Sequence, residues 1–202
     1  MGIDLRSVPV LLDSEPLQAI RSDAAVWENA SWRPPFGSGS GFGEPMPEVN
    51  KAMLADRPRS FDTFKGPWHS GSRSYGQAEY ALDPAAYRQL NGYEERERSL
   101  PYRIVHGDRR FADHALATQG IPWRCSTRTF LLEAADVIEA RDEAAIRREF
   151  SVKEMAERGV YKTRPDDDED EVFAHAMDNL QRLAHYYRDI ADHDYDLIVI
   201  MD

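Results

Sequence analysis

The histidines and the one cysteine are the side chains in this sequence best suited to acid–base or nucleophilic chemistry. Two histidines stand beside an acid, in His106-Gly107-Asp108 and in Asp113-His114. Such pairs serve general acid–base catalysis, although they more often cap turns or lie on the surface. Cys125 precedes a predicted helix, whose dipole would lower the pKa of the thiol, but a lone cysteine is more often a small core residue. We assign no catalytic residue from these motifs.

Metal and cofactor motifs are missing from the sequence. No two of the 6 histidines have the spacing of a helical metal signature. His175 and His185 are separated by about 280° around a helix, so they do not share a face. The glycine-rich segment Gly37–Gly43 lacks the Lys-Ser/Thr ending of a phosphate-binding loop. We therefore predict no metal site and no cofactor.

An unbroken acidic run extends from Asp166 to Glu171. It has neither the alternation nor the glycine of a calcium-binding loop. Two interpretations remain, a solvated loop or a contact surface that attracts a basic protein partner.

The negative charge of the chain is concentrated near that run. The 202 residues contain 25 Lys and Arg and 36 Asp and Glu, a net charge of −11. Residues 166–202 hold 12 of the acids and two arginines, a net of −10, whereas residues 1–165 are nearly neutral. This balance argues against a nucleic-acid or anionic-membrane partner, since both require a positive surface.

The expected compartment is the cytoplasm. A single cysteine cannot form an intramolecular disulfide, which suits a reducing environment. The first residues do not form a signal peptide, and the longest apolar run, Leu197–Met201, is far too short to cross a membrane.

Regular elements are predicted at both ends of the chain. Strands are expected from Ile3 to Leu12 and at Asp196–Met201, the second buried on both faces. Val172–Ile190 contains an apolar stripe with helical spacing. Shorter helices are expected after Ser14, near Pro47–Ala55 and after Asp83. Further caps are predicted at Ser126 or Thr127, at Asp142 and at Ser151.

A long irregular segment separates these ends. Residues 31–47 include four glycines, four prolines and three serines, and 65–76 are again rich in Gly and Ser. Trp32, Phe36 and Phe42 lie in the first of these stretches. Aromatic residues on such a loop either pin it to the core or form a contact surface. We interpret residues 31–76 as a loop-rich insertion in one domain of residues 1–202.

The C-terminal third resembles the YfbM-like family, an uncharacterised bacterial domain of unknown function. The resemblance covers about residues 127–202 and the Met-Gly-Ile start. It rests on the segments Val137–Ala140, Ile146–Met155, Gly159–Tyr161, Leu183–Arg188 and Asp196–Met201. Lys162 stands where the family usually has proline. The resemblance implies a compact α+β domain and supplies no catalytic residues.

We therefore expect an α+β fold, with both terminal strands in one mixed sheet and the C-terminal helices packed on it. The preferred function is a non-enzymatic protein-binding module, an immunity protein that neutralises a basic toxin domain. The alternative is a small hydrolase or transferase that uses Trp68–Tyr75 and His106. The predicted partner-binding residues are Asp166, Asp167, Asp168, Glu169, Asp170, Glu171, Trp32, Phe36 and Phe42.

Overall fold

A computed structural model describes residues 4–37, 45–55 and 74–201, which contain four strands and eleven helices. The first elements are β1 (Leu5–Val10), α1 (Glu15–Ser22), α2 (Ala24–Ser31) and α3 (Glu48–Ala55). They are followed by α4 (Tyr75–Leu82), α5 (Pro84–Tyr87), α6 (Tyr93–Arg98), α7 (Leu100–His106), β2 (Arg109–Arg110) and β3 (Arg124–Ser126). The last are α8 (Arg128–Glu139), α9 (Glu143–Glu149), α10 (Val152–Glu157), α11 (Glu169–Asp192) and β4 (Asp196–Met201).

The four strands form one sheet in the order β1-β4-β3-β2. Leu5 is opposite Met201 in the β1–β4 ladder, and Cys125 is opposite Ile198 in the β3–β4 ladder. The α+β class is confirmed, and both terminal strands belong to the sheet, as predicted. The expectation of a mixed sheet needs correction, because all three pairings are antiparallel.

The two longest helices explain the antiparallel direction of β4. The start of α8 lies beside Asp196, which follows the end of α11. The other end of α8, at Asp136 and Glu139, binds Arg188 of α11, which comes earlier in the chain than Asp196. The two helices therefore run in opposite directions along the sheet. Because α8 leaves the end where β3 stops and α11 returns to it, β4 must run back against β3.

Two apolar clusters cover the two faces of the sheet. Leu197 and Val199 of β4 belong to the cluster that contains α4, α8 and α11. Ile198 and Ile200 belong to the other, which contains α1, Phe36 and Trp123. All four β4 side chains are at most 2% exposed, so the prediction of a strand buried on both faces is confirmed.

The predicted caps begin their helices. The side chains of Thr127, Asp142 and Ser151 each accept a hydrogen bond from a backbone N–H in the first turn of α8, α9 and α10. Lys162, the position where the family usually has proline, has φ 58°. A proline ring holds φ near −65°, so this turn excludes proline.

Several elements were not predicted. We expected a single helix after Ser14, but Asp23 ends α1 and caps α2. Helix α6 lies in a charged segment without an apolar stripe, whereas α7 was missed although Pro101, Ile104 and Val105 have helical spacing on its buried face. β2 and β3 have only two and three residues. α4 begins inside the predicted insertion of residues 31–76. Residues 38–44 and 56–73 lie outside the described residues, so the extent of that insertion stays a prediction.

None of the described helices has both the length and the apolar character needed to span a membrane.

One carboxylate links three parts of the fold. Asp196, the first residue of β4, accepts hydrogen bonds from the backbone N–H of Leu12 at 3.0 Å and of Arg128 at 2.7 Å. It thereby connects β4 to the segment after β1 and to the first turn of α8, where a negative charge is favourable. The carboxylate is partly buried, so its loss would leave both donors poorly satisfied.

We expect Asp196→Ala to lower the free energy of unfolding by about 2 kcal/mol, because two charge-assisted hydrogen bonds are lost. Urea titration followed by circular dichroism would measure the change. The control is Asp192→Ala at the exposed end of α11, which should stay within about 0.5 kcal/mol of the unmodified protein. Equal effects of the two substitutions would contradict the assigned role of Asp196.

Candidate partner-binding surface and a buried histidine–glutamate pair

Trp32 is the most exposed of the large apolar side chains that the structure describes, at 61%. It follows α2 and borders a groove of about 410 Å³, whose other walls include Trp27, Trp123 and Leu116. Leu116 is 38% exposed at the same groove. The groove therefore combines an exposed indole with an exposed aliphatic side chain.

Phe36 forms an inner wall of this groove. It is 1% exposed, and its ring centroid lies 5.0 Å from that of Trp123. Of the predicted aromatic contact residues, Trp32 is on the surface and Phe36 is buried beneath it. Phe42 lies outside the described residues.

A buried asparagine holds the backbone that carries Trp32. The Asn50 side chain, on α3, donates hydrogen bonds to the carbonyl oxygens of Ala30 at 3.0 Å and Pro34 at 2.9 Å. Gly37 closes the same turn, where an added Cβ would lie 2.5 Å from the Trp32 carbonyl carbon. The position of Trp32 is therefore set by α3 and by this close approach. The sequence contained no signal that paired Asn50 with this turn.

Much of the acidic run stabilises the start of α11. Asp168 caps the helix, and Asp167 accepts a hydrogen bond from a backbone N–H of the preceding turn. Glu169 and Asp170 both bind the guanidinium of Arg147 on α9. These four carboxylates have structural partners, although Asp168 and Asp170 remain exposed to solvent.

Asp166 and Glu171 are exposed and are the two acids of the run without such a structural role. Within the described residues their side chains are not recorded in any hydrogen bond or ion pair. α11 packs on one face of the sheet, whereas the Trp32 groove lies on the other, beside Ile200. The sheet therefore separates the acidic run from Trp32, so the two do not form one continuous surface.

The alternative hypothesis of an enzyme depends on His106, whose surroundings differ from the expectation. His106 is 1% exposed, and its Nε2 lies 2.8 Å from a carboxylate oxygen of Glu79, which is itself fully buried. Asp108, its neighbour in the sequence, instead binds Arg103. The expectation that His106 caps a turn or lies on the surface is therefore wrong. Glu79 was not identified, because the helix that carries it was not predicted.

Arg96 completes this buried cluster. It donates two hydrogen bonds to Glu79, at 2.6 and 2.7 Å, and its guanidinium lies over the ring of Tyr102. The Tyr102 ring packs against His106 with centroids 4.2 Å apart. Both oxygens of the Glu79 carboxylate are therefore engaged by protein donors.

Opposite effects set the protonation states in this cluster. Burial alone would raise the pKa of Glu79, but the hydrogen bonds from Arg96 and His106 outweigh it, so the pKa lies below its usual value. Burial lowers the pKa of His106 more than Glu79 raises it. At neutral pH a charged Glu79 therefore accepts the Nε2–H of a neutral imidazole. The buried Nδ1 is then an acceptor with no hydrogen-bond partner.

The other two side chains considered for chemistry, Cys125 and His114, are buried in the core or bound to the backbone. Cys125 is 1% exposed, and burial raises the pKa of its thiol, so the core interpretation is confirmed. His114 contacts the carbonyl oxygen of Ile20 through its Nε2. In the described part of the chain, no group of three or more His, Cys, Asp or Glu side chains could hold a metal ion.

Comparison with known proteins identifies the family. The model of a family described as a domain of unknown function, DUF1877, matches residues 88–200, which is more than half of the chain. The chain belongs to the DUF1877 family. The match begins well before residue 127, so the DUF1877 domain includes α6 and α7 as well as the C-terminal segments that carried the resemblance. No curated protein matches the chain significantly.

A solved structure shows the same fold. The chain is similar to YfbM from Escherichia coli, described as a protein of unknown function, with 18% sequence identity and a TM-score of 0.51. The match covers 64% of this chain and 76% of YfbM. The predicted resemblance is confirmed. At this identity it establishes the fold of the DUF1877 protein and nothing about an activity.

The buried histidine predicts a pH dependence of stability. The unfolded chain, whose histidines titrate near 6.5, binds a proton at His106 before the folded protein does. Stability should therefore be complete above about pH 6.5 and fall below it, by up to about 1.4 kcal/mol per pH unit for one proton. Glu79 adds a further loss below its ordinary value of 4.5, because its folded pKa is also lowered. Urea unfolding between pH 7.5 and 5 would measure the histidine effect, and its extension to pH 3 would measure the effect of Glu79.

His106→Gln should remove most of the slope between pH 6.5 and 5, whereas the exposed control His185→Gln should retain it. The NMR titration of the His106 ring in the unmodified protein provides a second readout that does not depend on the variant folding. A His106 ring that titrates at or above 6.5 would contradict the assignment.

The turn below Trp32 gives a further prediction. Asn50→Asp would place a carboxylate among the carbonyl oxygens of Ala30, Arg33 and Pro34. We expect a loss of about 3 kcal/mol in urea titration, because a buried charge without donors is strongly unfavourable. The exposed neighbour Lys51→Met should change stability by less than about 0.5 kcal/mol. If Asn50→Asp is as stable as that control, the turn does not depend on Asn50.

Proposed function

We propose that the protein is a cytoplasmic, non-enzymatic binding module, an immunity protein that neutralises a bacterial toxin domain by binding it. The observation that carries the proposal is Trp32, 61% exposed at the edge of a groove and held there by a supported turn. Tryptophan is among the residues that contribute most to protein–protein affinity when a partner buries it in a pocket.

The groove supports a contact with an apolar side chain of the partner. Its described walls include the rings of Trp27, Phe36 and Trp123, which form a concave apolar surface beside Trp32. Leu116 extends this surface at the rim. A partner that inserts one apolar side chain here would bury both Trp32 and Leu116, which is the arrangement of a typical binding hot spot.

The acidic C-terminal region supports a contribution to the association rate and not to the affinity of binding. Residues 166–202 carry a net charge of −10, and α11, which contains many of these acids, packs on the opposite side of the sheet from Trp32. A charge that does not touch the contact residues acts mainly on the rate of encounter. We therefore assign affinity to the Trp32 groove and attraction of a basic partner to the acidic region.

The alternative of a small hydrolase or transferase has weaker support. His106 and Glu79 are buried, and both Glu79 oxygens have partners. Trp68 and His69 of the proposed enzymatic segment lie outside the described residues. The binding proposal uses side chains that solvent already reaches.

The first test is recovery of a partner through Trp32. The tagged protein would be captured from its native cells, and any stoichiometric partner would be identified by mass spectrometry and purified. Trp32→Ala should weaken binding of the purified partner at least tenfold, and Leu116→Ser should weaken it less. The matched control is Leu11→Ser, since Leu11 is 41% exposed and Leu116 is 38% exposed. Full binding by Trp32→Ala, or the absence of a stoichiometric partner, would contradict the proposal.

The acidic region is tested with a variant that spares the helix start. Neutralising the whole run would remove the cap at Asp168 and the Arg147 contacts, so the change is restricted to Asp166→Asn with Glu171→Gln. We expect a slower association rate at low salt, little change at high salt, and an unchanged dissociation rate. Unchanged association at both salt concentrations would argue against the assigned attraction.

The immunity function has its own test. The identified partner, expressed alone, should arrest bacterial growth, and co-expression of the unmodified chain should restore it. The Trp32→Ala variant should fail to restore growth at equal abundance. A partner without toxicity would leave a binding module whose role is not immunity, and would contradict that part of the proposal.

A further inference from the structure

A second cavity lies between the end of α8, the start of α9 and the middle of α11. It has a volume of about 290 Å³. Its apolar wall includes Ile138, Ile146, Leu180 and Ala184, all of which are buried. This wall belongs to the cluster on the opposite side of the sheet from the Trp32 groove. The cavity is therefore independent of the partner-binding surface proposed above.

Arg141 is the side chain of this cavity that the fold does not explain. It is partly buried, and its Nε is fully buried with no hydrogen-bond acceptor. Other partly buried arginines of the same region, Arg147 and Arg188, each bind two carboxylates. Within the described residues, no ion pair or hydrogen bond of the Arg141 guanidinium is recorded.

The nearby carboxylates have other roles or remain in solvent. Glu139 binds Arg188, and Asp83 accepts the first-turn N–H that begins α5. Glu143 is exposed at the mouth of the cavity. Consistently, burial lowers the pKa of Arg141, and the charge of Asp83 offsets this only in part. A guanidinium that is partly removed from water without a counterion destabilises the folded state.

We infer that this cavity binds a small organic acid, with its anionic group on Arg141 and its hydrocarbon or aromatic body on the apolar wall. The guanidinium offers its donors in a planar fork that fits carboxylate and phosphate oxygens. Ile138, Leu180 and Ala184 supply the surface for the apolar body. The volume is at the lower end of small-molecule sites, about 300–1,000 Å³, which favours a compact ligand over a macromolecular segment.

The test uses 3-phenylpropionate as the anionic probe and 3-phenylpropan-1-ol as its neutral counterpart. Two-dimensional ¹H–¹⁵N NMR titration should show shifts centred on α8, α9 and α11 for the acid, with at least tenfold weaker binding of the alcohol. Phenyl phosphate in parallel distinguishes a preference for phosphate from a preference for carboxylate. Shifts that are equal for acid and alcohol, or absent for both anions, would overturn the inference.

Arg141→Met separates a ligand site from a structural residue. We expect the variant to bind the anionic probe at least tenfold more weakly and, without probe, to melt about 2 °C higher, because an unpaired charge has been removed. The matched control is Arg182→Met on the exposed face of α11, which should leave probe binding unchanged. A less stable or unfolded Arg141→Met would overturn the inference, because it would show that the guanidinium stabilises the fold.

Discussion

The buried carboxylate of Glu79 is the constraint on which the centre of the molecule depends. An ion without solvent must be matched by donors, and Arg96 and His106 supply them from two different helices. This requirement fixes α6, which buries no residue of its own, against α4, and it adds to the apolar contacts of Ile104 and Val105 that orient α7. Removing one partner of such a cluster typically lowers the free energy of unfolding by about 3–5 kcal/mol, because a buried charge is left unpaired. The tyrosine rings around it exclude water and keep that requirement strict.

The elements that were predicted correctly are those whose signals are local. Caps at Thr127, Asp142 and Ser151 and the apolar stripe of α11 can be read within one or two helical turns. The buried cluster could not be predicted, because Glu79 meets its partners only through tertiary contacts 17 and 27 residues away. The same holds for the turn that carries Trp32, whose anchor lies 20 residues along the chain from Ala30. The acidic run was visible as a charge pattern, but its internal hydrogen bonds were not.

The two proposed sites differ in their relation to the family. The cavity at Arg141 lies within residues 88–200, the part matched by the DUF1877 model, whereas Trp32 and the helices around it precede that part. A binding role through Trp32 therefore concerns a groove on the other face of the shared sheet, formed by Trp32 outside the family match and by Leu116 and Trp123 within it. A ligand at Arg141 concerns the matched domain itself. The two activities can be present in one molecule without sharing a residue.

The position of β4 has a consequence for the way the protein is made. This strand lies between β1 and β3, yet every other described element precedes it in the chain, and its bond from Asp196 to Leu12 joins residues 184 positions apart. While the chain is still emerging from a ribosome, β1 and β3 cannot pair with each other, and both apolar layers lack the strand that separates them. The sheet can therefore be completed only after β4 has left the ribosome. During that interval the unpaired edges of β1 and β3 are open to pairing with another chain.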